Sequence, residues 1–583
     1  MDTSTTAEIE PARISPPPRI SGAQAVVRTL EALEVDLVFG YPGGAIMPVY
    51  DALHARRNAL RHVLTRHEQG AVHAAEGYAR ATGRVGVCIA TSGPGATNFI
   101  TGLADAMMDS TPVVCITGQV PSNMRGTDAF QESDVVGMTL GCTKWNVQIT
   151  DPAQIPSALR TAFKVARDGR PGPVLVDITK DAQFGTLLDE LDAQAEPGDY
   201  YARWTYAPRH TDLSGIEKAA ELINKAERPL LFVGQGVLLS GASHVARQVA
   251  AKTGMPVAST LLGLSAFPAC HPQFVGMLGM HGHYAPNIMT NEADVILAVG
   301  MRFDDRVTGR LDDYATQAKI IHVEIDPAEV DKCVPAEVAL IADARDALEA
   351  LLPHLEKRQH DEWRARFDDL SREEEMQVIT PELFPQTGPM RMGEVVNALS
   401  EQTDGHAIVV SDVGQHQMFA ARYYQFRQPD SHVSSGGLGT MGFALPAAIG
   451  AKMGQPDRKV IAIIGDGGFQ MTAQELGTIM QERIGVKVVI LNNGYLGMVR
   501  QWQELFFDRR YSEVTMENPD FIKLASAYGV HGERVEDRDD LTNAIARMLR
   551  DDRPYLLEVC VGAEDNIFPM IPSGASVSEI RLK

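Results

Sequence analysis

Three stretches of this chain share one pattern: a short apolar run closed by glycine or a small polar patch, then a helical pattern, then another apolar run. The first stretch carries "DLVFGYP", "HVLTR", "VGVCIATSG", "PVVCITGQ" and "PVLVDIT". The second carries "PLLFVGQG", "MPVAST", "ADVILAVG" and "KIIHVEID", and the third "AIVVSDVG", "KVIAIIGDGG", "KVVILNNG" and "YLLEVCV". Runs that are apolar throughout suit strands buried on both faces, and helices between them make the strands parallel. The chain is therefore expected to be α/β, with three tandem doubly wound parallel-sheet domains. Their expected bounds are 20–185, 210–355 and 390–583. A loose stretch, "DELDAQAEPGDYYARW", follows the first, and a charged, proline-broken passage at 371–389 follows the second. At 583 residues there is enough chain for three cores.

Composition removes several functions. The formal charge is −22 and no basic run occurs, which argues against nucleic acid or an anionic membrane as partner. No apolar run is long enough to span a bilayer. Residues 1–19, "MDTSTTAEIEPARISPPPR", lack the apolar core of a secretory signal and the arginine-rich character of a transit peptide, and read as a disordered arm. The six cysteines are scattered without a CxxC pair, and read as reduced core residues of a cytosolic protein. The expected location is the cytoplasm.

The most informative segment is "IIGDGGFQMTAQELGTIMQERIGVKVVILNNG", residues 463–494. Read with Lys459–Ile464 as the first strand, Gln474–Glu482 within the connecting helix and Lys487–Leu491 as the second strand, it places Gly465-Asp466-Gly467 and Asn492-Asn493 at neighbouring strand C-termini. In an open parallel sheet that edge binds ligands. Asp466 offers a carboxylate oxygen and Asn493 an amide oxygen, which suits Mg²⁺ sharing its shell with phosphate oxygens. The glycines let backbone N–H groups approach a diphosphate.

With this segment the chain resembles the thiamine-diphosphate enzymes of the pyruvate-oxidase-like group. The resemblance implies Asp466, Asn493 and the Tyr495 carbonyl as metal ligands, with Asn492 left out. A thiamine enzyme also needs a carboxylic acid beside the aminopyrimidine N1′. Glu68, in "RHEQGAVHAAEGYARATGRVGV", matches the family's glutamate and sits where a strand gives way to a helix. Glu76 is the competitor, read as an ordinary helix carboxylate. Gly414, Gln415 and His416, in "SDVGQHQMFAARYY", follow a strand and are candidates to line the diphosphate. In "SSGGLGTMGFALPAAIGA" the resemblance gives Met441 the role of wedging the cofactor into a V shape, and the Gly439 carbonyl that of accepting from the 4′-nitrogen.

The middle block narrows the resemblance. "GMLGMHG", "GMRFDDRVTGR" and "HVEIDPAEVDK" are similar to the FAD-binding segments of acetohydroxyacid synthase large subunits. They imply FAD contacts from Leu278, His281, Gly300, Arg302, Arg306, Asp326 and Asp343, joined by Arg170 in "GRPGPVLVD". Further segments extend the likeness over nearly the whole chain beyond residue 20. Departures are "GHYAPN" with His283, Phe419 in place of a usual Trp, and "TLGCTKWN" with Trp145.

The resemblance implies an enzyme that decarboxylates pyruvate on thiamine diphosphate and ligates the hydroxyethyl enamine to pyruvate or 2-oxobutyrate. The products are 2-acetolactate or 2-aceto-2-hydroxybutyrate, precursors of valine, leucine and isoleucine. Gly44, Phe130, Gln131 and Lys144 are implied pocket residues, and Trp502, in "VRQWQ", is placed over the acceptor while Arg306 holds its carboxylate. The active unit is expected to be at least a homodimer with a shared site, and a small regulatory subunit is a further expected partner. The alternatives are an FAD-dependent pyruvate oxidase, a glyoxylate carboligase, or a catalytically silent scaffold.

Overall fold

The computed structural model describes residues 19–189 and 211–583. All of the sequence-predicted arm but Arg19, and most of the loose stretch after the first block, lie outside these residues. Three six-stranded sheets form, and every neighbouring pair within them is parallel. The first runs Arg61–Leu64, Leu37–Gly40, Gly86–Ala90, Val113–Gln119, Val174–Thr179, Trp145–Ile149 across the sheet. The second runs Phe274–Met277, Val257–Ser259, Pro229–Val233, Val295–Val299, Lys319–Glu324, Val338–Ile341. The third runs His432–Ser434, Ile408–Ser411, Val460–Gly465, Val486–Asn492, Tyr555–Cys560, His531–Val535. A small antiparallel pair, Arg19–Ser21 with Thr186–Leu188, closes the first domain.

The first and third domains share one continuous apolar core. Its centre is the crossing of helices Glu68–Thr82 and Ala444–Gly454. At Gly77 an added Cβ would lie 1.9 Å from the Ala447 carbonyl oxygen, and at Gly450 it would lie 1.7 Å from that of Ala74. Only glycine lets two helix backbones approach so closely. Beside the crossing, Glu76 is a helix carboxylate as expected, but it is buried and 2.9 Å from His73 Nδ1. Burial pushes its carboxyl well up.

One further expectation, for the cysteines, needs correction, and two others gain detail. Passage 371–389 is largely helical: Asp361–Glu374 continues through a π-helical turn Glu375–Ile379 into Thr380–Leu383, burying Glu374 and Glu382. Cys270 and Cys333 are exposed rather than core residues. The helix after Val460–Gly465 starts at once, as Asp466–Thr472 and Leu476–Glu482 with a 3-10 turn between, so Asp466 is a helix residue. Phe419, by contrast, is fully buried and stacked on Tyr423 at 6.0 Å, so the core takes up that departure. Trp145 begins the edge strand of the first sheet.

Candidate active site

The strands Val460–Gly465 and Val486–Asn492 pair from Val460↔Val486 to Gly465↔Leu491, so Asp466 and Asn492-Asn493 leave the sheet side by side. Asp466 Oδ2 accepts from the Gly494 amide at 3.0 Å and from Asn518 Nδ2 at 2.7 Å. The Asp466 carboxyl is almost fully buried, and burial raises its pKa while its hydrogen-bond donors lower it. Asn493 is buried, with Oδ1 accepting from the Tyr495 amide at 3.2 Å and Nδ2 without a hydrogen-bond partner. Asn492 is engaged otherwise: its Nδ2 donates to Glu558 at 2.8 Å and its Oδ1 accepts from Asn518 at 3.0 Å. Sequence reasoning missed Asn518, which bridges Asp466 and Asn492 from a loop with no motif of its own.

His416 packs its ring onto two glycines. A Cβ at Gly465 would lie 2.8 Å from that ring, and one at Gly414 2.9 Å. Burial brings His416 down to about 3, so it is neutral, and its Nε2 is buried without a partner. Gln415 Nε2 donates to Gln501 and to the Asp565 carbonyl, both at 2.9 Å. The loop carrying Gly439 and Met441 is tied to the first domain by two aspartates of the segment 100–109. Asp109 accepts from the amides of Gly436 at 2.8 Å and Gly437 at 2.6 Å, while Asp105 accepts from the Thr440 hydroxyl at 3.2 Å and pairs with the Ser435 hydroxyl.

This loop opens onto a cavity of about 910 Å³. Gly414, Gly439, Met441 and Trp502 line it from the third domain, and Leu278, His281, Gly300, Arg302, Arg306 and Asp343 from the second, with Arg170 from the first. In the second sheet the chain reverses direction of winding between Pro229–Val233 and Val295–Val299, the switch point where such sheets bind dinucleotides. Gly236 and Gly300 meet there: a Cβ on Gly236 would lie 2.6 Å from the Gly300 Cα, and Gly300 has φ 59°. Arg306 stands at the mouth, largely exposed, with Nη1 3.6 Å from Met280 Sδ. Arg170 donates to Ser110 at 2.8 Å and Glu329 at 3.0 Å.

Several sequence-predicted residues lie outside the cavity. Asp326 spends Oδ1 on the Ala328 amide at 3.0 Å and places Oδ2 3.8 Å from Arg170, in the layer behind the wall. Lys144 donates to the carbonyls of Asp168, at 2.7 Å, and Val165, which ties it to the end of helix Ile155–Arg167. Glu68 opens helix Glu68–Thr82, where a carboxylate suits the helix dipole, and accepts from Asn98 Nδ2 at 2.9 Å. A Cβ at Gly95 would lie 3.4 Å from Glu68 Oε1, and one at Gly93 2.9 Å from Gln131 Cβ, so Gln131 belongs to the same corner. Gln131 itself has φ 59°, a strained backbone for a residue with a Cβ. The neighbouring Gly44 is exposed and Phe130 is 88% exposed.

Comparison with known proteins fits this layout. The sequence matches the thiamine pyrophosphate enzyme N-terminal TPP binding domain over residues 20–138, the central domain over 216–351 and the C-terminal TPP binding domain over 412–559. It is 47% identical over 572 residues to the acetolactate synthase isozyme 2 large subunit of Escherichia coli (strain K12), covering 96% of this chain and 99% of that one. It is 46% identical to the acetolactate synthase large subunit of Corynebacterium glutamicum, covering 98% and 91%. The chloroplastic acetolactate synthase 1 of Nicotiana tabacum is 44% identical, with 97% and 86% covered.

The chain belongs to the acetolactate synthase large-subunit family of thiamine pyrophosphate enzymes.

As an acetolactate synthase it is a carboligase that uses thiamine diphosphate, Mg²⁺ and FAD. The residues present fit these groups. A buried carboxylate with an amide oxygen beside it is a donor set for a hard cation, and the unpartnered Asn493 Nδ2 is a buried donor that an anion would satisfy. The glycine contact at the switch point and the arginines on the cavity wall suit a dinucleotide. Among the described residues no helix is long and apolar enough to cross a membrane.

Proposed function

We propose that this chain makes 2-acetolactate from two pyruvates, or 2-aceto-2-hydroxybutyrate from pyruvate and 2-oxobutyrate, in the cytoplasm. The observation that supports this best is the single cavity whose walls join Gly439 and Met441 to Arg302, Arg306 and Trp502. Thiamine diphosphate, when bound, supplies the carbanion chemistry by which a 2-keto acid loses CO₂ and the remaining two-carbon unit adds to a second carbonyl. The chain's own residues hold and aim the parts. Asp466, Asn493 and the Tyr495 carbonyl hold Mg²⁺, and Gly414, Gln415, His416, Gly465 and Gly467 surround the diphosphate. Met441 would pack against the cofactor, the Gly439 carbonyl would accept from its amino group, and Glu68 would share a proton with its ring nitrogen N1′. Arg170, Leu278, His281, Gly300, Arg302 and Asp343 hold FAD, with Asp326 acting through Arg170.

The acceptor step falls to Arg306 and Trp502. A guanidinium presents a planar, permanently charged fork suited to a carboxylate, and among the described residues the Arg306 guanidinium has no carboxylate closer than 3.7 Å. Trp502, on helix Gly497–Phe506, is half-buried on the cavity wall and 5.5 Å from the Phe506 ring. Its flat face is placed to contact the extra methyl of 2-oxobutyrate. A one-carbon difference in an apolar pocket is worth roughly 1–3 kcal/mol, or about 10–200-fold. Trp502→Leu should lower the preference for 2-oxobutyrate over pyruvate about tenfold, at the low end of that range, with little change in the decarboxylation rate. Product partition with both acceptors present measures this. An unchanged ratio in a folded variant would make Trp502 a packing residue only.

The partner is a second copy of the chain. The corner holding Glu68, Gln131 and Gly44 carries exposed Tyr41, Met47 and Phe130, an apolar surface that suits burial against another subunit. Glu68 and Asp466 of one chain would then serve different sites. A small regulatory subunit is a further partner, in keeping with the "large subunit" of the relatives' names.

A further inference from the structure

The run "GHYAPN", where this sequence departs from its family, is held by a buried charged unit that the chemistry does not use. Arg422 lies on helix Gln415–Tyr423 with a side chain wholly excluded from solvent. Its Nη1 donates to the carbonyls of Gly282 at 2.6 Å and His281 at 3.2 Å, and its Nη2 pairs with Glu374. Glu374 ends helix Asp361–Glu374, and its second oxygen accepts from the Tyr284 amide at 2.7 Å. The acid therefore comes from the interdomain passage, the base from the third domain, and the turn they grip from the second.

The neighbours leave this pair as the charge of the unit. Burial, with Arg422 adding to it, brings His283 down to about 4 and His281 to about 3, so both rings are neutral. Against burial, which pushes its carboxyl up, the Arg422 guanidinium and the Tyr284 amide help to hold Glu374 below the usual carboxylate range. His283 spends Nδ1 on the Met277 amide at 3.0 Å. A buried ion pair is a poor source of net stability, since desolvating two charges offsets their attraction. What it supplies is one fixed arrangement, because either charge left alone is costly.

The arrangement it fixes is at the cavity wall. His281 lines the cavity, and next to it the Met280 amide donates to the Arg306 carbonyl at 2.7 Å. Gly279, with φ 95°, comes so close to Arg306 that a Cβ would lie 2.6 Å from that same carbonyl oxygen. We propose that Arg422 and Glu374 are positioning residues: by clamping the turn His281–Tyr284 they set both the FAD-facing wall and, through Met280, the segment that presents Arg306 to the acceptor. This rests on the reading of the cavity as the FAD and acceptor site.

The test compares Glu374→Gln, Arg422→Lys and the apolar double variant Glu374→Leu/Arg422→Met with the wild type. FAD affinity is measured by flavin fluorescence on cofactor-stripped protein, and KM for the acceptor keto acid is measured separately from kcat. In metal sites, groups that orient a binding residue are worth roughly 10–100-fold, and about tenfold weaker FAD binding is expected in each variant. The acceptor KM should rise by more than kcat falls. The double variant should melt close to the wild type, because paired apolar replacements relieve desolvation. A folded double variant with wild-type FAD affinity and acceptor KM would overturn the proposal by reducing the pair to packing. If that variant does not fold, Arg422→Lys decides: an ammonium cannot fork across two carbonyls and Glu374, so amide exchange at Met280 and Tyr284 in FAD-free protein should quicken. Unchanged exchange with unchanged FAD affinity would overturn the proposal equally. A wild type that binds no FAD would instead sink the reading of the cavity itself.

Discussion

Glu68→Gln is expected to slow exchange of the thiazolium C2 proton by roughly 10²–10⁴-fold, the range over which a positioned acid–base group contributes. Thiamine diphosphate binding should largely survive. The separation follows from geometry: Glu68 sits at the start of helix Glu68–Thr82 in the first domain, whereas the candidate metal and diphosphate residues lie in the third. Glutamine keeps the side chain's size and its acceptor for Asn98, so the corner should stay folded. Proton exchange followed by NMR, beside cofactor titration, reads both quantities. Wild-type exchange in the variant would remove Glu68 from the chemistry.

Mixing inactive Glu68→Gln chains with inactive Asp466→Ala chains should restore activity. If Glu68 of one subunit works with Asp466 of its neighbour, a mixed dimer holds one site with both residues intact and one site with neither. Random mixing then leaves about a quarter of all sites competent, by counting. The chain's own contacts fit this arrangement. The segment preceding Glu68 does touch its own third domain, but through Glu475, which accepts from the amides of Arg66 at 3.0 Å and His67 at 3.1 Å. That grip leaves the Glu68 corner, with the 88%-exposed Phe130, facing outward. Mixed dimers verified by differential tags that show no recovery would place the whole site within one chain.

The central strands were readable because each is apolar on both faces, as in Val460–Gly465 and Val295–Val299, where every residue is buried. Within the three large sheets the overlooked strands are edges: Trp145–Ile149, Phe274–Met277, Val338–Ile341, His432–Ser434 and His531–Val535. An edge strand has one neighbour and tolerates polar residues; His531–Val535 buries only Val535. The meeting of Asp466 with Asn492-Asn493 could be read because these residues are local in sequence and sit at two adjacent strand ends. What could not be read depends on distant partners. Asn518 reaches Asp466 across 52 positions, Asp109 reaches Gly437 across 328, and Arg422 reaches Glu374 across 48. Lys144 lies near a motif, but its ammonium donates to the carbonyls of Val165 and Asp168, contacts that no local pattern announces.

Anaerobic incubation of the cofactor-loaded enzyme with pyruvate alone, followed by acidification and a colour test for acetoin, addresses the central claim most directly. Two pyruvates joined with loss of one CO₂ give a product that acid converts to acetoin with loss of a second, so colour should develop without oxygen, and before acidification one CO₂ should be released for every two pyruvates consumed. Pyruvate consumption that requires oxygen and yields no acetoin would contradict the account and make the chain an oxidase.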